Sequence, residues 1–381
     1  MHPSPQASRT VRAWTRAALA VEAGGDPRGA VGTHDPTRDL LAAITRHRVA
    51  EVLRPHGATL GLPSPVLEAL DEAHRRTARV LGVRLLELHR VAAALDAADI
   101  PWLLVKGPAL AVQTTGDPGG RGAGDLDVWV APESVARTVA LLLDHGWTPR
   151  PPAIVPGSWA WRHLLSAGYE VTLDGRASTI DLHWRLDATH DGLPTFDEAW
   201  AGRVQVDVGG LAVDTVAVDL AFRHSCHHAA KDGHRWLRSL VDVHRLARLE
   251  PTWARHRPGR VELTTLRATD EALGLPAQVP AAVVELVGRV PARVASRSLA
   301  AQDRPASGSG SAPGVELARL TRHRLTASRS AADLRHTATA VVVPLTMVAG
   351  LPDWSVRTAL PRALWRRARH LVARCLPGRA R

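Results

Sequence analysis

A chain of 381 residues with 45% hydrophobic content has room for about two domains and enough apolar material to bury a core. Its two cysteines, Cys226 and Cys375, form neither a disulfide framework nor a CxxC metal pair. The net charge of +11 reads as compositional bias rather than a nucleic-acid signal: only Lys106 and Lys231 are lysine, and arginine is spread as a GC-rich coding sequence spreads it.

Residues 1–36 are polar and rich in Gly and Pro, and are expected to be disordered. They lack the apolar core and cleavage pattern of a secretion leader. Residues 37–100 read as N-terminal helices, with apolar periodicity over Arg38–Leu53 and Pro65–Ala98. At 101–215 the texture becomes that of an α/β domain. Trp102–Val105 suits a buried strand ended by Lys106-Gly107-Pro108, and a short helix follows at Ala109–Gln113. A Gly-rich loop, 117–124, leads into the alternating strand Leu126–Val130, and Pro132–His145 is an amphipathic helix stopped by Gly146. Tyr169–Leu173 and Thr179–Leu186 read as a hairpin turning at Asp174-Gly175.

Residues 216–300 form a helical domain, with helices at Asp219–Ala230, His234–Leu249, Arg260–Leu273 and Ala281–Val290. A linker or exposed loop is expected at 301–313 and a basic helical segment at 314–381. Arg289–Arg381 holds 17 Arg against four acidic residues, which reads as solvated helix faces packed on the core. The most apolar run, Ala338–Leu351, is broken by Pro344 and falls short of the ~20 residues of a membrane span. The expectation is a soluble, cytoplasmic protein with no membrane partner. Nucleic acid is disfavoured as a partner, because 4% aromatic content gives little to stack bases on.

Asp125-Leu126-Asp127 lies where the Gly-rich loop enters a strand, and residues i and i+2 of a strand share a face. Two carboxylates there repel unless a hard cation such as Mg²⁺ (or Mn²⁺) lies between them. By that logic, neutralising either one costs the free protein no stability. Asp181-Leu182-His183 repeats the pattern on a second strand, so Asp181 is a candidate third ligand and His183 a candidate residue of the cleft. Lys106, at a strand end in a chain nearly devoid of lysine, could neutralise a phosphate, and Gly107 would let backbone approach it. Arg121 could fork onto phosphate oxygens. His224 and His228 share a helical face at i, i+4, but no Glu completes an HExxH motif, so they are read as lining a cleft rather than holding zinc.

The segments LLVKGPAL (103–110), RGAGDLDVWV (121–130), IDLHWRL (180–186) and HSCHHAAKDGHRWLRSLVDVHRL (224–246) together resemble the minimal nucleotidyltransferases of the DNA polymerase beta superfamily, and more closely a bacterial family of uncharacterised nucleotidyltransferases. The resemblance implies an α+β fold: a nucleotidyltransferase-like mixed sheet with flanking helices, plus a mostly helical C-terminal domain. It implies Asp125, Asp127 and Asp181 as metal ligands and catalytic residues, with Lys106, Gly107 and Arg121 at the nucleotide. It also implies a nucleoside triphosphate as substrate and transfer of its monophosphate to an acceptor that the sequence does not identify. The family's phosphate turn is Gly-Ser or Gly-Gly, whereas this chain has Gly107-Pro108, and proline has no N–H to donate. That departure keeps open a second reading, a catalytically inactive nucleotide-binding or protein-interaction module on the same fold.

Overall fold

The computed structural model describes residues 3–26, 36–150, 156–189, 192–253 and 257–304, most of 321–343, and a few positions between 361 and 369. A five-stranded mixed sheet forms its centre: β1 (Trp102–Val105), β2 (Leu126–Val130), β3 (Thr148–Pro149), β4 (Glu170–Asp174) and β5 (Thr179–His183). The strand order is β1-β2-β5-β4-β3, with β2 and β5 parallel and the other pairs antiparallel. The β4–β5 hairpin turns after Asp174, where Gly175 N–H donates to the Ser178 carbonyl. A separate two-stranded ribbon, β6 (Val204–Asp207) and β7 (Ala212–Thr215), was not evident in the sequence. Its turn is set by Gly209 and Gly210, at φ +66° and +85°.

Alternation along the central strands sorts residues between two cores. Trp102, Leu104, Leu126, Val128, Val130, Ile180 and Leu182 pack beneath α4 (Ser64–Ala97), α6 (Val135–Asp144) and α7 (Trp159–Ala167). Leu103, Val105 and Trp129 belong to the opposite core, with Phe222, Cys226, Val243 and Leu246 of α9 (Val218–Lys231) and α10 (Leu237–Ala247). Asp127, Asp181 and His183 alternate with the first set, so they lie on the α9–α10 side. The sheet's pleat thus places the polar residues of β2 and β5 beneath the helical region.

The N-terminal expectation is corrected. Residues 5–22 form a helix, α1 (Pro5–Glu22), begun by Pro5 and capped by Ser4 Oγ, which accepts from Ala7 N–H at 3.1 Å. Its Val11, Trp14, Ala18 and Leu19 are buried against α2 (Thr37–His47), α3 (Ala50–Leu53) and α11 (Arg260–Leu273). The Gly and Pro content that suggested disorder is concentrated after Glu22, and residues 27–35 lie outside the described residues. The helix expected over Arg38–Leu53 is split into α2 and α3 by Arg48, in the left-handed region at φ +54°.

Beyond α5 (Gly107–Thr115), α8 (Phe196–Ala201) and α12 (Ala281–Gly288), helix α13 (Ala292–Asp303) runs into the expected linker, whose residues 305–313 lie outside the described residues. Of the segment 314–381, the described residues between 321 and 343 pack onto the body, whereas the described positions between 361 and 369 are exposed. Helix α14 (Ala331–Val342) lies on α7, and His163 Nε2 meets the Val343 carbonyl at 2.7 Å. No helix among the described residues is long and apolar enough to cross a membrane.

Candidate active site

Strand register brings the carboxylates together. Asp127 and Asp181 are direct partners across the parallel β2–β5 pair, and Asp125 precedes Asp127 by two residues. All three line one cleft of about 320 Å³. Glu170 of β4, opposite His183, joins them as a fourth acid that the sequence reading missed.

Each acid has its own environment. Asp125 is exposed and has no hydrogen-bond or ion-pair partner among the described residues. Asp127 Oδ1 takes the Lys106 ammonium at 3.5 Å and His183 Nε2–H at 3.1 Å, which leaves Oδ2 unengaged. Burial would raise its pKa, but Lys106, His183 and Arg121 together hold the carboxyl well below the usual range. Neutralising Asp127 would strand Lys106, so the expectation of a cost-free substitution is corrected for this residue. Asp181 Oδ1 accepts from Thr172 Oγ1 at 2.7 Å, and its other oxygen is unengaged. Burial, then Glu170 and Asp127, push Asp181 upward against the Thr172 bond.

His183 is fully buried beneath Asp127, with Nδ1 3.5 Å from Glu170, and positions the carboxylate rather than facing the cleft. His228 lines the cleft. His224 is buried beside it and is not among the lining residues, which corrects the expected pairing of the two. Burial and then Lys106 press both imidazoles well below their ordinary pKa, so they are neutral.

Lys106 caps α5 with φ +55° and ψ −148°, a region that favours glycine, and Gly107 follows at φ +45°. A Cβ on Gly107 would come within 3.3 Å of the Asp125 carbonyl, so β1's end and the Asp125 turn are in close approach. The strained turn aims the Lys106 ammonium at Asp127. Lys106→Ala and Lys106→Gly both remove that ammonium, but only Gly relieves the backbone. The Gly variant should be more stable by about 1–2 kcal/mol in paired urea titrations, and equal stability would remove the strain from this account.

Arg121 lines the cleft as expected, but its fork is taken by a carboxylate of the chain itself. Its Nε and Nη2 both donate at 2.7 Å to the Asp242 carboxylate of α10, with both side chains buried. The pair braces the Gly-rich loop. Arg84 of α4 binds the Gly124 carbonyl, and Arg245 of α10 binds the Gly120 carbonyl at 3.2 Å while pairing with Glu22 of α1. Asp242→Asn should cost about 3–5 kcal/mol by denaturant unfolding, because a buried guanidinium loses its counter-charge. The double variant Arg121→Met/Asp242→Leu should recover most of that. If it does not, the pair does more than brace the loop.

The opposite wall comes from the turn between α9 and α10 and from Arg48. Lys231, Asp232, Arg235, Trp236, Arg238 and Ser239 line it. Lys231 donates to the Tyr169 hydroxyl at 3.1 Å and lies 5.0 Å from that ring's centre. Arg238 is deeply set and has no hydrogen-bond or ion-pair partner among the described residues. Burial and the neighbouring Arg121 bring its pKa down to about 9, so it stays charged at neutral pH. None of these cations was singled out from the sequence. One signal was available: Lys106 and Lys231, the two lysines of the chain, both line this cleft.

A mixed sheet thus carries paired aspartates at the mouth of a helix-covered cleft. The model of the family described as "Uncharacterised nucleotidyltransferase" matches residues 34–279, and the chain belongs to that family. One similar solved structure is an antigenic nucleotidyltransferase-like protein from Paracoccidioides brasiliensis, 16% identical, covering 61% of this chain and 94% of that one, with a TM-score of 0.27. So loose a superposition says nothing about the chemistry of this cleft. No curated protein matches the chain.

Proposed function

We propose that the chain transfers a nucleoside monophosphate from a nucleoside triphosphate to an acceptor hydroxyl and releases pyrophosphate. The observation that carries this reading is the meeting of acids and cations in one cleft. Asp125, Asp127, Glu170 and Asp181 come from the sheet side, where Lys106 pairs with Asp127, and Lys231, Arg235 and Arg238 come with Asp232 from the helical side, Arg238 having no hydrogen-bond or ion-pair partner among the described residues. A polyanion together with a divalent cation matches that set.

Asp125, Asp127 and Asp181 fit Mg²⁺ or Mn²⁺ as a hard oxygen set, because Asp125 is unpartnered and the other two keep one oxygen unengaged. When bound, such an ion supplies neutralisation of phosphate charge and polarisation of the reacting oxygens. The chain's own groups do the rest. Thr172 fixes one oxygen of Asp181 and leaves the second to accept the acceptor's hydroxyl proton. The acceptor oxygen then forms a bond to the α-phosphorus. The bond from that phosphorus to the bridging oxygen breaks, and pyrophosphate departs with the electron pair. Arg238, Arg235 and Lys231 hold the β- and γ-phosphates and take up the charge of the leaving group. They offset the donor that Pro108 lacks at the start of α5.

The test is a thermal-shift titration with each nucleoside triphosphate, with and without Mg²⁺, followed by a pyrophosphate-release assay against hydroxyl acceptors. Stabilisation that needs both nucleotide and ion, followed by pyrophosphate release, is the expected result. Absence of any nucleotide effect sinks the reading. Binding without release under any acceptor points to the inactive module, the alternative that Pro108 favours.

A further inference from the structure

Away from the cleft, three buried side chains from distant parts of the chain converge. Asp187 follows β5, His227 lies on α9, and His323 lies on a short helical stretch at 323–325. They are 4%, 1% and 3% exposed, respectively. His227 Nδ1 is 2.8 Å from Asp187 Oδ2, and His323 Nε2 is 2.9 Å from Oδ1. The two imidazole rings stand at 88° to each other, and one ligand atom from each of the three residues lies within 4.8 Å of the others.

We propose that Asp187, His227 and His323 bind a transition-metal dication of the zinc type, separate from the catalytic cleft. Two imidazole nitrogens and one carboxylate oxygen form a borderline donor set that suits Zn²⁺ and disfavours Mg²⁺, which takes oxygen ligands. Three protein ligands leave a fourth position for water. Ligand atoms around a zinc ion stand slightly more than 3 Å apart at metal–ligand distances near 2 Å, so the two imidazole–carboxylate distances of 2.8 and 2.9 Å would open by a few tenths of an ångström, and the two ring nitrogens, within 4.8 Å of each other, would settle to the same spacing. The carboxylate is already oriented by its own neighbours, the Ala188 N–H at 2.8 Å and the Thr189 hydroxyl at 2.9 Å.

The ion would fasten two regions. Asp187 and His227 lie within the family-matched span, and His323 lies beyond it. Arg324, next to His323, already donates to the Ala167 carbonyl at the end of α7 at 3.2 Å. Metal binding would therefore clamp the 323–325 stretch onto α9 and the loop after β5, as a closure independent of nucleotide.

The full chain is stripped with chelator, held in excess Mg²⁺ to occupy the cleft carboxylates, and titrated with Zn²⁺ and Co²⁺. We expect one equivalent to bind, to raise Tm, and in the cobalt form to give the visible bands of a low-coordinate N/O site. His323→Ala and His227→Gln should each weaken binding by more than about 100-fold, whereas Asp125→Asn should bind as the wild type does. Wild-type protein that takes up no equivalent overturns the proposal and leaves the cluster a hydrogen-bonded brace. Equal uptake by folded His323→Ala and His227→Gln does the same. Should either variant fail to fold, the wild-type stoichiometry and cobalt spectrum decide. Triphosphate binding is read separately, so failure here leaves the cleft untouched.

Discussion

Asp127→Asn and Asp181→Asn should each lower nucleotidyl transfer by at least about 10²–10³-fold, while moving the stability of the nucleotide-free protein in opposite directions. The rate loss is common to both because each removes charge from the place where transition-state charge is balanced. The stabilities diverge because the environments do. Asp127 is held ionised by Lys106, His183 and Arg121. Its asparagine variant leaves the Lys106 ammonium, 11% exposed, without its partner, at a cost of about 2–4 kcal/mol. Asp181 is pushed upward by burial, Glu170 and Asp127, so its charge opposes folding and its asparagine variant should unfold later in urea. The pH dependences follow. Asp127, with its folded pKa depressed, contributes stability that is complete above the unfolded carboxylate range and is lost as pH falls through the folded value. Asp181, with its folded pKa raised, costs stability when ionised, and the cost disappears as pH falls below that value. The gain from Asp181→Asn should therefore be largest at neutral pH and fade in acid. Asp125→Asn, at an exposed and unpartnered position, should leave the urea midpoint in place. Urea midpoints for the three variants across pH 4–8, in chelator, check this. A destabilised Asp181→Asn would mean that the carboxylate braces the sheet instead of waiting for an ion.

The sheet and the acids on it were legible because strand alternation is a short-range signal. Leu126, Val128 and Val130 had to face one way, which left Asp127 on the other face. Asp181 followed by the same logic, and the parallel register that makes it Asp127's neighbour is consistent with that pattern. Helix Arg260–Leu273 could be read to the residue from its apolar period. What stayed hidden is set by distance along the chain. Arg121 was assigned to phosphate because its own loop offers no clue to Asp242, 121 residues away. Helix α1 was missed because its apolar face makes sense only against α2 and α11, which complete its core. The cationic wall could not be picked out from composition, since arginine is everywhere in this chain. Lysine carried the information: it is so scarce that the meeting of Lys106 and Lys231 in one cleft singles out both.

Arg238→Gln should weaken Mg²⁺-dependent triphosphate binding by about 10–100-fold, the range expected when a charged hydrogen bond of about 1.5–3 kcal/mol is lost. Its effect on the free protein should be nil or stabilising. A guanidinium that is deeply set, lies beside Arg121 and has no partner among the described residues is a cost in the nucleotide-free state, which is why its pKa falls to about 9. Removing such a charge relieves desolvation and repulsion together. A structural arginine behaves in the reverse way, as Arg121 should: losing it breaks a satisfied buried pair and destabilises the fold. The ligand series locates the contact. If Arg238 holds the β- or γ-phosphate, the variant should lose affinity for triphosphate and pyrophosphate but keep its weak affinity for monophosphate. Lys231→Met should share that pattern with some loss of stability, because Lys231 also donates to the Tyr169 hydroxyl. Isothermal titration of the two variants with tri-, di- and monophosphates, paired with urea midpoints, gives both readouts. Equal losses across all three nucleotides would move Arg238 to the nucleoside end of the cleft. Unchanged affinity throughout would leave the cationic wall without a role in binding phosphate.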